Sequence, residues 1–123
     1  LGFKGRVHFQ ISPCINDELD KLSAIDEKSE LLANILKVID KAIHTNYKIY
    51  PGNYIAYDIL DGQKRFADRY TNKDQTTFAN YLNSQLAKIP NVTSKDKDFL
   101  TERILSMYAN PLKNQLIALG QEA

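Results

Sequence analysis

Arg6-Val7-His8-Phe9-Gln10-Ile11 alternates polar and apolar side chains, the period of a β-strand with one apolar face. A strand leaves its backbone donors and acceptors unpaired unless a neighbour completes the ladder. No second strand follows, because everything downstream reads as helix. The chain also opens on Leu1 and not on methionine. Together these features lead us to expect a carboxy-terminal piece of a larger protein, cut inside a sheet-containing domain. Much of the functional chemistry is then expected upstream.

With 123 residues the chain is about one domain long and can bury a core. Sixteen Lys and Arg against fifteen Asp and Glu leave a net charge of +1. That balance argues against nucleic acid as a partner, which calls for a basic surplus on one face. No apolar run approaches the roughly 20 residues of a membrane-spanning helix. Cys14 is the single cysteine, so no internal disulfide forms and a reducing compartment is expected.

The alternation stops at Ser12-Pro13, since proline has no amide hydrogen to donate. Asn16 is placed to cap a short helical turn carrying Leu19 and Leu22. A first long helix is expected from about Asp26, its cap, to His44, with Leu31, Ile35, Val38, Ile39, Ala42 and Ile43 on one stripe. Pro51-Gly52 reads as a turn, Asn53 as the cap of the next helix, and Gly62 as an interruption or an end. Thr71-x-x-Asp74 has the layout of a capping box before a helix to about Lys88, which Pro90 closes. Ser94 is expected to cap a last long helix with Phe99, Leu100, Ile104, Met107 and Tyr108 inward. Asn110-Pro111 is expected to break that helix.

The candidate chemistry is thin. Cys14 with His8 or His44 has the elements of a nucleophile and base, but no signature surrounds them, and a small buried thiol is the simpler reading. Two histidines thirty-six positions apart give no metal-ligand spacing. We therefore expect no catalytic residue, no cofactor and no metal site in this chain. Asp58, Asp61, Arg65 and Arg69 read as an ion-pair stripe on a helix surface. Lys64, Arg65, Arg69 and Lys73 are the candidate contacts for an anionic lipid headgroup or phosphate, set against a plain charged face. Tyr47, Tyr50, Tyr54 and Tyr57 would line one helical face but for Pro51. They read as core, with membrane-interface contact as the alternative.

Three segments resemble a known family. Gly5-Arg6-Val7-His8-Phe9-Gln10-Ile11-Ser12-Pro13-Cys14-Ile15 resembles a late strand of the glycerolipid (lysophosphatidic acid) acyltransferases, where a glycine precedes an alternating strand ending in a small residue, proline and an aliphatic residue. Asn46-Tyr47-Lys48 with Asn53-Tyr54-Ile55-Ala56-Tyr57-Asp58, and Met107-Tyr108-Ala109-Asn110-Pro111-Leu112-Lys113-Asn114, resemble the tail of one bacterial branch. The resemblance implies a parent enzyme of phospholipid biosynthesis. It would move a fatty acyl group from a thioester donor to a glycerolipid hydroxyl, in the cytoplasm and peripheral to the inner membrane surface. The family's His-x-x-x-x-Asp signature is absent: Pro13 stands five residues after His8, and Ile49 five after His44. No catalytic residue is carried over, and the chain alone is expected to be inactive.

The expected fold is mainly α: an irregular bundle of four to five helices, with one amino-terminal β-strand left over from an α/β acyltransferase sheet. Residues 1–25 would be the last strand and turn of the acyltransferase-like domain, and residues 26–123 a helical carboxy-terminal subdomain. Its expected partners are the upstream acyltransferase domain, an anionic membrane surface, and a second copy joined through the exposed strand. The alternative is a non-enzymatic helical interaction module, which would bury Val7, Phe9 and Ile11 within its own architecture.

Overall fold

The computed structural model describes residues 5–91 and 93–123. Among them are five helices: α1 (Asn16–Asp20), α2 (Lys28–Asn46), α3 (Pro51–Asp61), α4 (Asn72–Leu86) and α5 (Ser94–Ala118). A 3-10 turn, Ala67–Arg69, separates α3 from α4. The chain divides into two compact units, Leu1–Lys48 with Gln115–Ala123, and Ile49–Asn114.

The expected β-strand is not formed. Residues 5–11 have no regular secondary structure, and Val7 is 70% exposed while Phe9 and Ile11 are each 90% exposed. Alternation supplies an apolar face but not a ladder. With no strand to pair with among the described residues, the backbone of this segment is left to water. The remnant of an α/β sheet is therefore struck from the fold, and its helical part stays.

In the first unit, α2 starts one residue later than expected. Glu27, not Asp26, is the cap, its carboxylate accepting from the amides of Ser29 (3.1 Å) and Glu30 and from the Ser29 hydroxyl (2.6 Å). Those bonds, the Ser29 hydroxyl foremost, hold the Glu27 pKa below the ordinary carboxylate range. At the other end, Gln115 Nε2 donates to the carbonyls of His44 (3.1 Å), Thr45 (3.3 Å) and Tyr47 (2.8 Å), acceptors that a helix end leaves open. Along α2, Leu31, Ile35, Val38 and Ala42 are half-buried, whereas Ile39 and Ile43 of the expected stripe lie exposed beside Leu32 and Leu36.

In the second unit, Pro51-Gly52 is not a turn but the first turn of α3. Proline suits that position because its missing N–H has no helical acceptor there. Gly52 is needed for packing: a Cβ there would stand 3.2 Å from Cδ2 of Phe78 on α4. Gly62, with φ +70°, ends α3 in the left-handed conformation. Thr71 and Asp74 form the expected box, with Thr71 N donating to Asp74 Oδ2 (2.8 Å) and Asp74 N to Thr71 Oγ1 (3.2 Å). Thr93 replaces Ser94 as the acceptor at the start of α5, taking the Asp96 amide at 3.2 Å.

Helix α5 runs through Pro111 without ending. An internal proline costs about 3 kcal/mol. Leu105, Ala109, Leu112 and Leu116 recur at helical spacing and are buried, and leucines contribute roughly 1.5–3 kcal/mol each when fully buried, which outweighs that cost. The buried stripe is thus turned away from Phe99 and Met107, which are exposed.

One buried side chain ties α3 to α5. Asn53 Oδ1 accepts from Tyr50 N (2.8 Å) and its Nδ2 donates to the Tyr108 carbonyl (2.8 Å), next to Met107, whose carbonyl loses its helical donor at Pro111. Asn53→Ala leaves both backbone groups without this partner. It should lower the unfolding free energy by about 2 kcal/mol in urea denaturation; a change near zero would mean that water replaces the amide.

Candidate functional site

The second unit gathers four aromatic rings and two guanidinium groups around the bend between α3 and α4. After Gly62 the chain reverses and carries Phe66 back onto α3, where its ring meets Tyr54 at 5.3 Å and Tyr57 edge-on at 5.4 Å between centroids. Arg65 lies over this platform, its Cζ 5.1 Å from the Phe66 centroid and 5.9 Å from that of Tyr57, and Nη1 donates to the Tyr57 hydroxyl at 3.3 Å. Arg69 Cζ stands 5.9 Å from the Tyr54 centroid. At these separations a cation is attracted to the ring face.

The bend is held by Asp58, which α3 buries to 5% exposure. Its carboxylate accepts from the Phe66 amide (3.1 and 3.2 Å) and from the Tyr70 hydroxyl (2.8 Å). A buried carboxylate without donors is costly, so these bonds fix the return path of the chain as firmly as they satisfy the acid. The Tyr70 pKa is raised first by donation to Asp58, then by burial. Beside this clasp is a cavity of about 450 Å³ whose walls include Ile55, Ile59, Phe78 and Leu82, with Lys64, Gln63 and Gln75 among its polar edges.

The four candidate cations are thus split. Arg65 and Arg69 share the aromatic platform, Lys64 edges the cavity, and Lys73 lies exposed in the first turn of α4. Among the described residues one ion pair forms, Arg69 Nε to Asp68 Oδ2 at 3.6 Å. The expected stripe linking Asp61, Arg65 and Arg69 does not form. Its four-residue spacing needs a continuous helix, and α3 ends at Gly62. Of the tyrosines, Tyr54 and Tyr57 join the platform, Tyr50 precedes α3, and Tyr47 follows α2 with its side chain exposed.

The thiol is exposed, contrary to the buried reading, at a cavity of about 220 Å³ that Val38, Ala42 and Thr45 also line. His8 is exposed and bonded to Gln10 at 3.1 Å, and His44 lies in the last turn of α2. Among the described residues no three His, Cys, Asp or Glu side chains group as metal ligands. No helix among them is long and apolar enough to cross a membrane.

Sequence reasoning did not single out Phe66 and Tyr70 as site residues. The one signal was Gly62: a left-handed helix end reverses the chain, so the aromatics after it meet those before it. Comparison with protein-family models, with curated proteins and with solved structures gives no match.

The clasp has an alkaline signature. Tyr70 is raised above the ordinary tyrosine range, and burial, followed by bonding to Tyr81, pushes Tyr108 up to about 12. A raised folded-state pKa means that the stability contribution is present below about pH 10, the unfolded value, and lost as pH rises through the folded one. Tyrosinate absorbance should therefore show late-rising steps. Tyr108→Phe should remove one of them, and Asp58→Asn should return the Tyr70 step toward about 10.

Proposed function

We propose that this chain is a non-catalytic, accessory helical region of a bacterial glycerolipid acyltransferase, and that its Arg65–Arg69 face docks on anionic phosphate headgroups. The family half of this reading is supported by the sequence resemblances at residues 46–58 and 107–114; the one at residues 5–15 is to a strand that is not formed here. It is tested by the coding sequence. A His-x-x-x-x-Asp motif is expected in frame upstream of the Leu1 codon, about one family-domain length away; a frame that starts within a few codons of Leu1 would overturn it.

The docking half rests on one observation: Arg65 is held over Phe66 and Tyr57 with no carboxylate within 4.0 Å among the described residues. A planar guanidinium whose stem is immobilised but whose charge is not neutralised is ready for a phosphate, which it can take with two parallel N–H bonds. Arg69 adds a second cation, partly offset by Asp68, and Lys64 and Lys73 add charge near the same bend. Basic residues near an anionic leaflet are worth about 1 kcal/mol each.

The second reading, a helical interaction module, is favoured by Leu32, Leu36, Ile39 and Ile43, which lie exposed along α2. The exposure of Val7, Phe9 and Ile11, which such a module would bury, speaks against it.

Vesicle flotation tests the docking. The chain should float with phosphatidylcholine vesicles containing phosphatidylglycerol and not with phosphatidylcholine alone. Arg65→Gln with Arg69→Gln should weaken binding roughly 30-fold. Equal binding by the double variant, or no binding by the wild type, would remove the headgroup assignment.

A further inference from the structure

We propose that α2 pairs antiparallel with α2 of a second copy of this chain, through Leu32, Leu36, Ile39 and Ile43. These four side chains are 57%, 52%, 37% and 54% exposed, on a helix that has no fully buried residue. Their spacing is four, three, four, the seam of a helix built to meet another helix.

That spacing is the same read from either end, as any four successive seam positions are, so it admits an antiparallel partner; what points to a copy of the same chain is the charge pattern beside it, Lys37 and Asp40 on one flank. A two-fold axis passing between Leu36 and Ile39 sets Leu36 opposite Ile39 of the copy and Leu32 opposite Ile43, so that every layer matches a leucine with an isoleucine. The sides of the stripe differ. On one side lie Asp40, Ala33 and Lys37; on the other lie Ile35 and Ala42. The antiparallel arrangement puts like sides together, with Asp40 within one helical turn of Lys37 of the copy, twice over, and the half-buried apolar flanks of Ile35 and Ala42 on the same side as each other. A parallel pair would instead set Asp40 against Ile35 of the copy and align the two helix dipoles, both unfavourable.

Area sets the strength. About half of each side chain is available, on the order of 100 Å² apiece. Two copies thus bury about 800 Å² through the stripe, below the range of tight complexes. The pair is expected to be weak, with a dissociation constant of micromolar order. This inference is independent of the acyl-transfer reading, and it uses a surface distinct from residues 6–11.

Sedimentation equilibrium over a micromolar concentration series tests it, with circular dichroism to check that each variant stays helical. The wild type should move from monomer to dimer. Leu36→Glu should weaken the dimer about tenfold or more, since it buries an unpaired charge at the seam. Lys37→Glu should also weaken it, and Lys37→Glu with Asp40→Lys should restore it. In a Cys14→Ser background, a mixture of Leu36→Cys and Ile39→Cys chains should cross-link to each other in preference to themselves. A monomer at every concentration overturns the proposal, as does a dimer indifferent to Leu36→Glu. Preferential cross-linking of Leu36→Cys chains to themselves overturns the antiparallel register.

Discussion

The second unit depends on the side-chain amide of Asn53. It is one of two buried polar side chains among the described residues, and it meets two backbone groups, one ahead of α3 and one on α5. One is the amide of Tyr50, ahead of α3, where a helix start has no internal acceptor. The other is the carbonyl of Tyr108, one residue beyond Met107, whose carbonyl loses its helical donor at Pro111. An apolar residue at position 53 would pack as well and satisfy neither. The amide explains how a helix with an internal proline keeps its place against α3: the weak point of α5 is also where α3 holds it.

The other buried polar group, Asp58, does for the bend what Asn53 does for the helix contact. Phe66 and Tyr70 both donate to it, and their arrival brings Arg65 and Arg69 to Tyr54 and Tyr57. The arginine platform is therefore a consequence of satisfying one buried acid. Its geometry is set by hydrogen bonds within the bend, and stacking then holds the guanidinium groups without neutralising Arg65.

Helical elements were legible because they rest on local rules. The Thr71–Asp74 box and the half-buried positions Leu31, Ile35, Val38 and Ala42 of α2 each involve residues within a turn or two of one another, whereas Gly62 reads equally as an interruption or an end and Ile39 and Ile43 lie outside the covered stripe. The failures share a cause. The strand at residues 6–11 needed a partner that periodicity cannot supply. The break at Pro111 was overridden by the burial of Leu105, Leu112 and Leu116. Pro51-Gly52 looked like a turn because Phe78, which makes Gly52 necessary, lies twenty-six positions away. For the site, the four basic residues could be named from the sequence. Which of them would meet, and on which rings, depended on a chain reversal that also dissolved the expected ion-pair stripe.

The two units differ in how they could be completed. The second buries Ile55, Ala56, Tyr57, Phe78, Leu86, Leu105, Ala109 and Leu112, and satisfies its two buried polar residues internally. The first buries Leu116 alone among its described residues and exposes four aliphatic side chains along α2. Helices in water owe most of their stability to a packed apolar face and not to propensity. A nineteen-residue helix with no fully buried residue rests on a half-buried stripe, Leu31, Ile35, Val38 and Ala42, and on its ends, which Glu27 and Gln115 hold. Covering Leu32, Leu36, Ile39 and Ile43 supplies what those end contacts cannot, which makes the first unit the part of this chain whose stability is most sensitive to association.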